Sequence, residues 1–437
     1  MSAGVTVTRK SRIFLHEIDM VRVVTALSVI AVHVVAFTVV FNTTKLGADL
    51  QNGVVSALHF TREVFLTLTA FVMVHNYTKR PLKLSTFWRK RGLGVVVPYI
   101  VWSLFYLWFN FARHPFGHWI HTALIDILTG NASFQLYYIL LTIEFYLMLP
   151  LLLWFVKRYG QHPWRILTIS FVLQMALMYY DFNYLERGVY GSNGLAQWVN
   201  TYQWRMLPAY QFYVLLGAVA ALYLEPLRAF VKRHGVLVVV GLIGGLGLLW
   251  LRYAQSIWLD HQDVSFATQV FQPVMVIYST TATLFLYWLG IVWSSRRSKK
   301  GVPYGHPLVK LLSDSSFGIY LIHAFILNDI LLHVAPKMPT DWPVAIQVFD
   351  VWLSVAVITS AICFVMLYTP GLSRLIGRPC ALSPDFAPWR WTLEKSDALK
   401  SAGSTIFARH DSAPPLPKTP ASGTTAKTMD EIVRVED

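Results

Sequence analysis

The run IDMVRVVTALSVIAVH, residues 18 to 33, sets three ionisable side chains, Asp19, Arg22 and His33, into an otherwise apolar stretch. A neutral imidazole, with an ordinary pKa of about 6.5, can take the proton of a hydroxyl as that hydroxyl attacks an activated carbonyl. A guanidinium holds phosphate or carboxylate through forked hydrogen bonds. Arg22 and His33 are eleven residues apart. On a helix that is about three turns, so both lie on one face roughly 16 Å apart. Asp19 lies one turn below Arg22, where it can orient that guanidinium or an interfacial water. An anion anchor and a base aligned in this way suit acyl transfer from a donor with a long arm.

Further ionisable residues fall in other apolar runs. At a rise of about 1.5 Å per residue, His59, Arg62 and Glu63 lie roughly 9 to 15 Å below the outer edge of their segment. Glu144 lies at about 13 Å and His323 at about 15 Å, the layer that His33 also reaches. Arg or Asp central in a membrane span costs about 2.5 to 3.5 kcal/mol on insertion scales, so such groups face the bundle interior and mark function. Blander roles compete: Arg62 or Glu63 can snorkel to the interface, Glu144 can neutralise a neighbouring Arg, and His323 can simply pack. Arg62 and Glu63 point about 100° apart, so the two do not form a simple pair.

The elements that position these groups are membrane helices. Of 437 residues 55% are hydrophobic and 14% charged, with a mean hydropathy of +0.48, far from the composition of a soluble domain. Ten stretches are long enough to span, near 18–41, 53–77, 92–112, 135–157, 163–181, 205–224, 235–253, 270–293, 311–333 and 344–369. The expected fold is an all-α polytopic bundle. The N-terminus and the even-to-odd connections hold twenty Lys and Arg, the other connections six, which places both termini in the cytoplasm. The net charge of +14 is thus mainly topological rather than a nucleic-acid surface.

The expected organisation is a cytoplasmic N-terminus over 1–17, a transmembrane domain over 18–370 and a disordered cytoplasmic tail over 381–437, where SAPPLPKTPASGTTAKTMD cannot build a core. The first apolar run lacks the pattern of a cleavable signal peptide. Cys363 and Cys380 make no disulfide framework, and Gly241 and Gly245 have the spacing of close helix packing. No phosphate loop, dinucleotide fingerprint, HExxH or CxxC occurs, so no metal or bound cofactor is expected.

With these residues in view the chain resembles the integral membrane acyltransferase-3 family over most of residues 14 to 370. The likeness rests on IDMVRVVTALSVIAVH, EVFLTLTAFVM (63–73), FWRKRGLGVVVPYIVWS (87–103), LYYILLTIEFYLMLPLL (136–152) and LLSDSSFGIYLIHAFIL (311–327). It is similar to the branch with the membrane component of poly-N-acetylglucosamine synthesis. Two departures stand out: Thr69-Ala70 replaces the family's Ser-Gly, and Tyr137 its span-four Trp.

The resemblance implies transfer of an acetyl or succinyl group from cytoplasmic acyl-CoA, a donor substrate rather than a bound cofactor, to a hydroxyl of a glycan, lipid-linked sugar or small molecule. It places the essential Arg and His on Arg22 and His33, and the basic loop on Arg89 and Arg91. The expected catalytic set is His33, Glu144 and His323; the expected binding set is Asp19, Arg22, Arg62, Arg89, Arg91, Tyr137 and Tyr320. The setting is the cytoplasmic membrane of a bacterium, with the bilayer, acyl-CoA and a glycan or lipid-linked sugar as partners. The competing class is a transporter of a glycan or small solute, which broken helices would favour.

Overall fold

A computed structural model describes residues 15–111, 116–191, 194–299, 301–339 and 341–382. Most of the expected tail, from 383 on, and the first fourteen residues lie outside the described set. The chain is an all-α membrane bundle. Helix α1 (His16–Phe37) carries the opening motif. The connection at 42–52 between the first two expected spans is largely helical: α2 (Lys45–Leu58) starts at Thr44, whose hydroxyl accepts the Gly47 amide at 3.1 Å. It leads into α3 (Thr61–Thr78) across a corner at His59 and Phe60.

The basic helix α4 (Leu84–Arg91) passes through a π-helical stretch, Gly92–Val96, into α5 (Val97–Phe111). Next come α6 (Phe116–Thr129), α7 (Tyr137–Tyr159) and α8 (Pro163–Tyr180). Helices α9 (Gly194–Tyr202) and α10 (Gln211–Leu222) flank a break, and α11 (Leu224–Arg233) leads to α12 (Gly235–Ala254). After the short α13 (Val264–Ala267) come α14 (Pro273–Ser295), α15 (His306–His333), α16 (Val344–Tyr368) and the one-turn α17 (Leu372–Leu375).

Helix is present at each of the ten expected spans. Among the described residues, eight helices are long and apolar enough to cross a membrane, or nine with the bent pair Gly194–Arg205 and Leu207–Leu222, which meets at 56°. Helix α8 is not among them. Its Gln174 serves the break instead: the side chain donates to Ala209 O at 2.7 Å and accepts the Phe212 amide at 3.3 Å. Backbone at membrane depth needs such partners because lipid supplies none.

Helix α1 is central, packing on α14, α15, α16, α2 and α3. The expected close packing at Gly245 is present, since a Cβ there would fall 2.7 Å from Thr281 Oγ1 on α14. Cys363 is buried and Cys380 half-buried, and both are free.

Candidate active site

The cavity that His33 reaches has a volume of about 110 Å³. It is bounded by Val29, Val32 and His33 of α1, by His59, Thr61, Arg62 and Phe65 at the α2–α3 corner, by Gln135, Tyr137 and Tyr138 at the start of α7, and by Val270 and Tyr320. An apolar cavity of about 150 Å³ takes a benzene, so this one suits a short acyl group or the reacting end of an acceptor. Three of the sequence elements singled out for their depth, on α1, α2–α3 and α15, thus meet at one level.

His33 stacks on His323, ring centroids 5.3 Å apart with an interplanar angle of 24°, and abuts Phe134 at 4.5 Å. His323 is completely buried. Its Nδ1 lies 2.8 Å from Tyr320 O and 3.3 Å from Ile319 O. Carbonyls only accept, so Nδ1 carries the proton and Nε2 keeps its lone pair. That Nε2 has no hydrogen-bond partner among the described residues. Helix α15 is held in register by α5: Tyr106 OH donates to Leu321 O at 2.7 Å and accepts the Phe325 amide at 3.2 Å. Tyr320 OH donates to Gln135 O, tying α15 to the start of α7.

On the opposite wall Arg62 Nη1 donates to Tyr137 OH at 3.1 Å. Arg62 Nε also approaches Glu63 Oε1 to 4.0 Å, so the long side chain reaches back to a neighbour that helix geometry points away from it. The Tyr137 ring meets Trp204 edge-on at 4.6 Å, and the Arg205 guanidinium lies 4.2 Å over Trp204. The cavity wall is therefore braced by the break between α9 and α10.

Near the N-terminal end of α1, Arg22 makes no hydrogen bond or ion pair with any described residue, although Arg378, Asp19, Asp314 and Tyr146 are within electrostatic range. Arg91 stands 5.0 Å over the Tyr146 ring and donates to Met73 Sδ at 3.2 Å. Arg89 is exposed. Asp19 is buried and accepts from Ser313 Oγ at 2.7 Å, and it acts on Arg22 through its charge rather than through a hydrogen bond among the described residues. Ligating atoms of His16, Asp19 and His306 lie within 4.8 Å of one another, a grouping from distant parts of the chain that no sequence spacing announces. Lys310 and Arg297 act on His16 as well, surroundings that disfavour a divalent cation.

From residue 15 to 368 the chain matches the family described as Acyltransferase domain, acyltransferase 3. The chain belongs to the acyltransferase-3 family. It is 23% identical over 354 residues to the protein named "Putative membrane-bound acyltransferase YfiQ" of Bacillus subtilis (strain 168), covering 79% of this chain and 90% of that protein. No solved structure matches the chain.

This acyltransferase brings His33, Arg62, Tyr137 and Tyr320 around one cavity, with His323 stacked on His33, and leaves Arg22 and Arg91 outside the cavity lining. It does not bring Glu144 to the imidazoles. The Glu144 carboxylate accepts the Leu207 amide at 2.9 Å and is not among the cavity-lining residues. The carboxylate caps the break here, and equal depth on a helix says nothing about which way a side chain faces. The Thr69-Ala70 departure is likewise internal: Thr69 Oγ1 donates to Phe65 O at 2.8 Å and Ala70 is fully buried. Gln135 and Arg378 were not distinguished by sequence. Gln135 has no ionisable group to flag it, and Arg378 lies beyond the last apolar run.

Proposed function

We propose that this membrane acyltransferase moves an acetyl- or succinyl-class group from cytoplasmic acyl-CoA to a hydroxyl of a cell-surface glycan, lipid-linked sugar or small molecule, in the cytoplasmic membrane of a bacterium. The observation that carries this reading is the His33–His323 stack at the edge of a small cavity. In the reaction, His33 takes the acceptor hydroxyl's proton as the oxygen bonds to the thioester carbonyl carbon. The tetrahedral oxyanion is stabilised by Arg62, which Tyr137 holds in place. Collapse breaks the C–S bond, and the leaving thiolate takes the proton back from His33, so that CoA departs as the thiol. His323, whose Nδ1 proton is fixed on Tyr320 O, holds the His33 ring by stacking and lends it an unprotonated Nε2 as a neighbour. Arg22 holds donor phosphate with Arg91 alongside.

Mass spectrometry of surface glycans and lipids from cells with and without the gene tests this: an acyl mass increment that disappears with the gene is expected. Acyl-CoA should also protect a thiol in an Arg22→Cys variant from alkylation. The second reading, a transporter, is favoured by the 56° break before Leu207. It predicts an unchanged acylation profile together with a collapsed solute gradient.

A further inference from the structure

The chain does not leave the membrane directly after α16. Gly371, at φ +88°, and Gly377, at φ +69°, turn it back under the bundle in a backbone region that favours glycine. A Cβ on Gly377 would fall 2.4 Å from Gly94 O, so the returning segment is pressed against the π-helical stretch that follows α4. Trp102 Nε1 donates to Leu375 O at 3.0 Å, Ile376 is fully buried, and the Ala381 amide donates to Leu367 O at 2.9 Å. A segment fixed at so many points delivers its next side chain, Arg378, to a defined place.

That place is Asp314, next to Ser313, which donates to Asp19 one turn below Arg22, and Arg378 is within electrostatic range of Arg22. Arg378 Nε donates to Asp314 O at 2.9 Å and its Nη2 lies 3.1 Å from Asp314 Oδ1, while 32% of its side chain stays exposed. Asp314 is already held by Lys310 at 2.6 Å. Among the described residues, Arg22, Lys310 and Arg378 face this spot together with Asp19 and Asp314. Arg91 adds a further guanidinium across Tyr146. Guanidiniums brought within range of one another repel, and a bound anion relieves that repulsion. The forked donors of Arg suit phosphate oxygens.

We infer that Arg378, from the segment after the last span, is the second guanidinium of the donor anchor and with Arg22 grips the phosphates of acyl-CoA. The inference rests on the acyl-CoA reading above and adds a residue outside the part of the chain matched to the family. Asp314 sets the spacing: it fixes one edge of Arg378 and leaves the rest of the fork to the ligand.

The test is binding of coenzyme A and of pantetheine, which lacks every phosphate, to the full-length protein in detergent or nanodiscs. Wild type, Arg378→Gln, Arg378→Lys and Arg22→Gln are compared, with melting temperature as a control for folding. Coenzyme A should bind Arg378→Gln at least tenfold more weakly than wild type, with Arg378→Lys between them. Pantetheine should bind all four alike. Arg378→Gln and Arg378→Lys proteins that bind coenzyme A like wild type, while Arg22→Gln loses it, would overturn the assignment and leave Arg378 as a tether for the returning segment. If Arg378→Gln does not fold, Arg378→Lys with wild-type affinity overturns it equally. Wild type that binds coenzyme A no better than pantetheine would sink the acyl-CoA reading itself.

Discussion

Replacing Glu144 separates a structural carboxylate from a catalytic one. Its carboxylate has a single described hydrogen bond, from the Leu207 amide at 2.9 Å, where the chain restarts after the break. A hydrogen bond to a charged group contributes about 1.5–3 kcal/mol and a neutral one about 0.5–1.5. Glu144→Gln keeps an acceptor in reach of Leu207 and should cost about 1 kcal/mol of stability. Glu144→Ala leaves that amide without a partner and should cost about 1–3 kcal/mol. Neither change touches a cavity-lining group, so the Gln variant should keep at least half the wild-type rate. Loss of a general acid or base would instead lower the rate by about 10²–10⁴. The assay pairs thermal melting of the purified protein with product formation in cells complemented at equal protein levels. A Glu144→Gln protein that melts like wild type but loses a hundredfold in rate would refute the capping role.

Other changes follow from the same geometry. His323→Phe preserves a ring against His33 while removing both nitrogens; the rate should fall by tenfold or more with stability lowered by only about 1 kcal/mol, since Tyr320 O loses one partner. A rate within threefold of wild type would reduce His323 to packing. Tyr137→Phe keeps the edge-on contact with Trp204 but removes the acceptor of Arg62. That is a charge-assisted bond of about 1.5–3 kcal/mol, so kcat should fall by about 10- to 100-fold, and an unchanged kcat would exclude Arg62 as the oxyanion's partner.

The parts of the site legible in sequence are those fixed by local helix geometry. Arg22 and His33 share a face because eleven residues make three turns, and both lie where the α1 register puts them. The meeting of His33 with His323, across 290 positions, was accessible only as a shared depth, which is a weak constraint. Residues of one depth, His33, His59 and Arg62, line one cavity with His323 stacked on His33, while Glu144 faces the break, because its helix face is set by tertiary packing. The break itself was read as a continuous span at 205–224, because apolar composition runs straight through Leu207 and Pro208. Arg378 was invisible for the opposite reason: hydropathy ends at α16, while the fold continues under the bundle through two glycine turns.

The central claim is that His33 is the base, and it is tested most directly by product formation in cells where His33→Asn replaces the wild-type protein. Asn retains a polar side chain of smaller size but cannot accept a proton at neutral pH. The expected result is a loss of 10²–10⁴ in acylated product rate, with membrane insertion, melting temperature and coenzyme A affinity unchanged. Acylation within about threefold of wild type in the folded His33→Asn protein would contradict it.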